Sequence, residues 1–302
     1  MTAKLEHEPV ATAPRRLGAG KKAVLVATPI VLSILAWGGA YLHYTSARAA
    51  ETRRSAAAAA HPAAPDGAKL YAQNCAACHG ARGDAKGLMS PLLDPPARRF
   101  GEERFRLAST SNGVPTDEDL AAVVKSGIPG TAMPAFAQLT DDERTALVGH
   151  VRGLTREALF ARIFRKAEEE GGVDPGEVAE AVENMLRPGA PVEVPSQFAT
   201  ATPESVAHGR QLYTQNCASC HGPEGRGDGP QVKDLKNENG WPTRPRDLSR
   251  GVFKGGGDPG RLYARIVIGM PGTPMPASTS LKPEEISDLV HYVRSLSAPA
   301  AP

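Results

Sequence analysis

The sequence predicts an all-α protein in which one small helical domain occurs twice behind a single apolar segment near the N-terminus. Three observations predict it: a motif set that recurs at a constant offset of 142 residues, apolar stripes of helical period without a convincing alternating strand pattern, and one uncharged stretch of twenty residues. The chain has 302 residues, 41% apolar and 23% charged, with net charge +2, which excludes a disordered chain, a collagen and a polytopic membrane protein. Four cysteines are too few for a disulfide scaffold. Aromatics are scarce, at 5%, beside 31 Gly and 27 Pro, so small domains built from this chain need something other than side chains to fill their cores.

Residues 1–22 read as a cytoplasmic N-terminus and 23–44 as a transmembrane anchor. From Ala23 to Leu42 no charge occurs, a length that spans a bilayer core. Lys4, Arg15, Arg16, Lys21 and Lys22 precede it and Arg48, Arg53 and Arg54 follow, so the positive-inside rule puts the N-terminus in the cytoplasm. The reading is a single-pass protein of the inner membrane whose domains face the periplasm. A cleaved signal peptide is the competing reading, since Ala47-Arg48-Ala49 has the small-x-small form of a cleavage site, but the apolar run exceeds a signal h-region. The positive excess sits around this segment and not on a domain face, so no nucleic-acid partner is expected. Residues 45–65 form an Ala/Pro-rich stalk.

The repeat begins with Gly67-Ala-Lys-Leu-Tyr71-Ala-Gln-Asn-Cys-Ala-Ala-Cys-His-Gly80, which matches Gly209 to Gly222. Gly127 to Ala135 then matches Gly269 to Ala277, and Leu147 to Leu154 matches Leu289 to Leu296, at the same offset. Two copies of one domain follow, at 66–154 and 204–298, with an unmatched helical insert and linker at 155–203. In each copy a glycine and a tyrosine lie one turn apart on the first helix, a spacing that suits close helix crossing. The last helix carries an apolar stripe at Leu147, Val148, Val151 and Leu154, and at Leu289, Tyr292, Val293 and Leu296. A helix before each methionine loop starts near Thr116 and at Asp258-Pro259, both acceptable N-cap signals. In the insert, one helix covers Thr155 to Gly171 and a second runs from Asp174-Pro175 to Arg187.

Each copy holds Cys-x-x-Cys-His, which is read as c-type haem attachment: two thiols at a helix end each add to a haem vinyl group while the adjacent imidazole coordinates the iron. Thioether bonds would account for exported cysteines without disulfides. The alternatives are half of a zinc ribbon, a thioredoxin-like redox pair, and chance. Zinc would require both pairs to converge on one tetrahedral site, and a thioredoxin motif should open a helix in an alternating strand and helix pattern. The sixth ligand is sought by the same offset. His79 precedes Met133, and His221 precedes Met275, each by 54 residues, and each methionine stands before a proline in a Gly/Pro-rich loop. Met89 and Met270 have no partner in the other copy.

These motifs resemble the class I cytochrome c family, and within it the membrane-anchored dihaem cytochromes c of bacterial respiratory chains. The resemblance covers both copies and implies the cytochrome c fold with two covalently bound haem c groups. It implies Cys75, Cys78, Cys217 and Cys220 as thioether sites, His79 and His221 as proximal iron ligands, and Met133 and Met275 as distal ones. It further implies electron transfer between a quinol-oxidising complex or dehydrogenase and an oxidase or soluble carrier. The protein would act either as a free tethered shuttle or as a fixed subunit of a larger membrane complex, for instance the dihaem subunit of a haem-copper oxidase. Its partners would be redox proteins of the chain, and it would not itself be an enzyme. The alternative is a dihaem periplasmic enzyme, a peroxidase or a thiosulfate-type oxidoreductase, which needs an open sixth position at one iron.

Two further features carry double readings. Trp241, Arg244 and Arg246, with Pro95-Pro96-Ala-Arg98-Arg99 as their nearest analogue, either donate hydrogen bonds to haem propionates or form a solvated arginine cluster. Glu168, Glu169 and Glu170, in an insert of net charge −4, either dock a basic partner or mark an exposed helix end, the second reading being preferred. His150 and His291 do not align and read as helix-face residues.

Overall fold

The structure, a computed structural model, describes residues 35–53, 64–102, 104–195 and 200–297. It divides into two compact units, one ending at Ala63 and one from Ala64 to Pro302. In the first unit, residues 35–53 form helix α1. Much of the expected anchor, residues 23–34, lies outside the described residues, and among the described residues no helix is long and apolar enough to cross a membrane.

The second unit holds both repeat copies and the insert. In the first copy α2 (Gly67–Asn74) runs into the short α3 (Ala76–His79), and α4 (Asp117–Ser126) and α5 (Asp141–Glu169) follow. The second copy repeats the order with α7 (Pro203–Asn216), α8 (Ala218–His221), α9 (Pro259–Ile268) and α10 (Pro283–Ser295). Between them stands α6 (Pro175–Leu186). Helix starts recur at the repeat offset because the capping chemistry recurs. Thr116 accepts from Asp119 N–H ahead of α4, and Asp258 accepts from Arg261 N–H ahead of α9. Thr140 and Glu143 form a capping box on α5, and at the same offset Glu285 accepts from Lys282 N–H at 2.7 Å on α10.

What fixes each domain is the crossing of its first and last helices. A Cβ on Gly67 would lie 2.1 Å from the Ala146 carbonyl oxygen, and one on Gly209 would lie 2.0 Å from that of Asp288, the equivalent residue. Only glycine lets the backbones approach so closely. Around each crossing one aromatic of the last helix tilts over the tyrosine of the first. His150 lies on Tyr71 with centroids 5.1 Å apart, and Tyr292 lies on Tyr213, also at 5.1 Å. The first core gathers Tyr71, Phe100, Leu139, Leu147 and Leu154, and the second Leu212, Tyr213, Leu262, Leu289 and Val290.

The insert does not begin as a separate element. Helix α5 passes position 154 without a break and continues to Glu169, because Leu159 keeps the apolar stripe going and packs with Val178 and Val182 of α6 in a small core of its own. After α6 the chain runs back along the first domain, where Ser111 N–H donates to the Ala190 carbonyl and Val192 N–H to the Ser109 carbonyl, both at 2.8 Å. Val192 then packs against the core of the second domain, so the linker joins both.

Two glycines of helix interiors make a direct comparison. Gly209→Ala is expected to cost several kcal/mol, on the order of an overpacked core site or worse, since a backbone carbonyl must move. Gly149→Ala, with nothing within 4 Å of the added methyl on exposed α5, is expected to stabilise by about 0.5–1 kcal/mol. Denaturant midpoints of the two variants against the parent check both signs.

Candidate functional site

Both Cys-x-x-Cys-His motifs sit at a break between two helices. Cys75 leaves helical geometry at φ −121°, ψ −36°, and Cys217 has the same two angles. The hydrogen-bond ladder nevertheless continues across the break, with His79 N–H donating to the Cys75 carbonyl and His221 N–H to that of Cys217, both at 2.9 Å. The break therefore turns the cysteine pair without loosening it. The tyrosine one turn earlier locks the motif from below. Tyr71 Oη donates to the buried Gly80 carbonyl at 2.7 Å and Tyr213 Oη to that of Gly222 at 2.9 Å. Burial raises the pKa of both phenols, so they remain donors.

The first motif opens on a cavity lined mainly by apolar side chains, among them Leu120, Val124, Phe136 and Val148. Cys75, Cys78 and His79 line it from one element pair and Met133 from another, so the four residues singled out in the first copy share one cavity. The thiol of Cys75 is pushed up to about 11 by burial and then by Cys78, and that of Cys217 to about 11 by burial and Cys220. A reactive thioredoxin-type thiol needs the opposite shift. Burial lowers the pKa of both His79 and His221, which keeps each imidazole in the neutral form that ligates metals.

Each imidazole is backed by a main-chain carbonyl. His79 Nδ1 lies 3.1 Å from the Arg98 carbonyl oxygen, which selects the Nδ1–H tautomer, and Phe100 stacks on the ring with centroids 5.0 Å apart. In the second copy the Arg246 carbonyl faces His221, opposing the lowering of its pKa by burial, yet the contact is outside hydrogen-bonding geometry and Nδ1 of His221 is buried without a partner among the described residues. Leu248 takes the place of Phe100: Phe100 N–H donates to the Gly83 carbonyl at 2.7 Å, and Leu248 N–H to the Gly225 carbonyl at 2.6 Å.

The methionine loops are built alike. Helix α4 ends at Gly127 with φ +64° and α9 at Gly269 with φ +73°, values that favour glycine, and a Cβ at either position would strike the carbonyl region of the methionine-proline pair. Ile128 N–H donates to the Met133 carbonyl and Met270 N–H to that of Met275, both at 3.1 Å. A threonine hydroxyl then ties the loop together. Thr131 Oγ1 donates to the Ile128 carbonyl at 2.7 Å and accepts from Met133 N–H at 3.2 Å, and Thr273 does the same with Met270 and Met275 at 2.8 and 3.3 Å. The sequence reading missed these threonines, although they stand at equal offsets inside a matched motif. It also missed Phe100, whose only signal is its rarity as an aromatic.

The remaining residues sort plainly. His150 is a core contact of Tyr71, and His291 is buried with its Nδ1 2.9 Å from Ser205 Oγ, so neither enters a site. Arg246 turns out to reach across the domain boundary, donating to the Pro129 carbonyl of the first methionine loop. Met270, unmatched in sequence, lines the first domain's cavity from the second domain. Met89 and Trp241 are exposed.

The helical order, the Cys-x-x-Cys-His break and the held methionine loop define a protein made of two haem-binding modules, and comparison with known proteins agrees. The family described as cytochrome c matches residues 206–297, and that described as cytochrome c oxidase, cbb3-type, subunit III matches residues 62–151. The chain belongs to the class I cytochromes c as a dihaem protein with two covalently bound haem c groups. It is similar to the cbb3-type cytochrome c oxidase subunit CcoP of Azospirillum sp. (strain B510), 28% identical over 242 residues, covering 76% of this chain and 61% of that protein. It is also similar to subunit FixP of the same oxidase type from Azorhizobium caulinodans, 28% identical over 233 residues, covering 76% and 59%. The chain thus spans about three fifths of the length of these relatives. Among solved structures it matches a chain of the Kuenenia stuttgartiensis reducing HAO-like protein complex with TM-score 0.63 and 31% identity, covering 76% of this chain and 94% of that one.

Tyr71→Phe should remove one of the two hydrogen bonds that the Gly80 carbonyl accepts, the other coming from Gly83 N–H at 3.2 Å, and cost about 0.5–1.5 kcal/mol. Equilibrium unfolding in denaturant, run beside Tyr213→Phe, checks that both tyrosines cost a similar amount.

Proposed function

We propose that this chain is a membrane-tethered dihaem cytochrome c that carries electrons in a respiratory chain, as a non-catalytic subunit of an oxidase complex. It would receive electrons from a quinol-oxidising complex or dehydrogenase and deliver them to an oxidase or a soluble carrier. The observation that carries this reading is the duplication of the whole donor set, with the methionine held in the same hydrogen-bonded loop in both copies. The likeness to cbb3-type oxidase subunits supports the assignment to such a complex. The uncharged segment 23–42 and its flanking basic residues support the tether, with the haem domains on the periplasmic side.

In this reading Cys75 and Cys78 would hold the first haem through thioethers and His79 and Met133 would ligate its iron, and Cys217, Cys220, His221 and Met275 would do the same for the second. The residues fit such a group: the first cavity is lined by all four donors of the first copy and is otherwise mainly apolar, and His79 turns Nδ1 to a carbonyl, which leaves Nε2 of a neutral imidazole as the nitrogen for a metal. A bound haem c supplies a one-electron ferric/ferrous couple, and His/Met ligation favours a raised potential. The chain's part is to keep the donors still. The Arg98 carbonyl fixes the His79 tautomer, and Thr131 and Thr273 hold the methionine loops against small ligands that would otherwise compete for the sixth position. Closed sites of this kind suit outer-sphere transfer and leave no place for a substrate.

The test is a visible spectrum of the purified protein with haem quantified per chain. Two covalent haems, a sulfur-to-iron band in the oxidised form and no carbon monoxide shift in the reduced form are expected, whereas a shift in the parent protein would point to an open iron and an enzyme. Met133→Leu should open one haem per chain to carbon monoxide and leave the other closed. Thr131→Val, which removes two hydrogen bonds worth about 0.5–1.5 kcal/mol each, should make the sulfur band of one haem more labile to heat.

A further inference from the structure

Basic side chains from both domains converge on one end of the first domain's cavity. Arg98 and Arg106 come from the loop between α3 and α4, and Lys254 comes from the second domain's loop before α9; all three line the cavity. Met270 of the second domain lines it too. Lys254 is half-buried and, among the described residues, has no hydrogen bond or ion pair. Burial, and then Arg106, Arg246 and Arg98, pull its ammonium down to about 8.

Among the described residues the Glu238 carboxylate lies 3.7 Å from Arg98, and it is already engaged by Arg104 N–H at 2.8 Å. Even a half-buried ammonium among guanidinium groups is costly unless an anion meets it. The cavity is otherwise mainly apolar, so its occupant should have an apolar body and an anionic edge. Haem c has that chemistry, with two propionate carboxylates.

We propose that the second domain completes the first domain's haem site, with Lys254 joining Arg98 and Arg106 on a haem propionate and Met270 closing the wall beside it. Lys254 is a positioning residue that acts on the first haem through its carboxylate. The inference rests on the reading that Cys75, Cys78 and His79 hold that haem. Domain contacts secure the arrangement: Arg265 Nη1 donates to the Arg106 carbonyl at 3.0 Å, Arg104 N–H donates to Glu238 Oε1 at 2.8 Å, and Arg246 reaches the Pro129 carbonyl. A positive charge beside the propionate favours the reduced iron, whose site carries one positive charge less.

The experiment is a spectroelectrochemical titration of the full-length Lys254→Gln protein, with the first-domain haem assigned in a Met133→His reference variant. The first-domain midpoint should fall while the second moves less. Lys254→Arg should restore it, and Lys254→Met should give the same fall without a new hydrogen-bonding group. Haem is quantified first. Fewer than two covalent haems per chain in the parent would overturn the attachment reading and this inference with it. Two haems with unmoved potentials, or an equal shift in both, would overturn this inference alone.

Discussion

Two helix backbones that touch through a glycine are the constraint from which each domain is built. Where Gly67 meets the Ala146 carbonyl, and Gly209 that of Asp288, the first and last helices are locked in a single crossing. That crossing buries the tyrosine one turn along. The tyrosine holds the carbonyl that follows the histidine, and the cysteine pair is held between them. A contact made of a missing side chain thus sets the position of the chemistry, which explains why the same angles recur at Cys75 and Cys217 although the loops downstream differ.

Those loops are where the copies separate in character. The stretch between the histidine and the third helix carries Phe100 against His79 in one domain and Leu248 in the other, and the imidazole is bonded to a carbonyl in one but, among the described residues, not in the other. Hydrogen bonding at the proximal imidazole tunes ligand basicity and hence redox potential. The two Cys-x-x-Cys-His motifs are therefore given different surroundings.

Much of this was legible in the sequence because repetition acts as its own control. A glycine, a tyrosine, two cysteines and a histidine at one offset name the crossing and the motif, and the paired Met-Pro loops name the facing wall. Helix starts at Thr116, Asp258 and Asp174 were readable from capping chemistry. The continuity of α5 was not, because the repeat ends at Leu154 while the apolar stripe that extends the helix is completed by α6, a partner distant in sequence. Nor were the contacts between domains. Arg246 was readable as a basic residue near a haem-binding motif, but its reach to Pro129 depends on how the two copies pack, and Met270 looked irrelevant for the same reason. The anchor rests on composition alone, since residues 23–34 lie outside those the structure describes.

Helix α5 belongs at once to the first domain's core and to the hairpin that leads away from it. A boundary drawn at the end of the repeat would cut through a 29-residue rod, exposing Leu159 and stripping α6 of its support. The chain can be parted cleanly only beyond the stretch that runs back along Ser109 and Ser111. The first module is in this sense longer than the repeated unit, and any shift of its last helix is carried mechanically into the segment that leads to its neighbour.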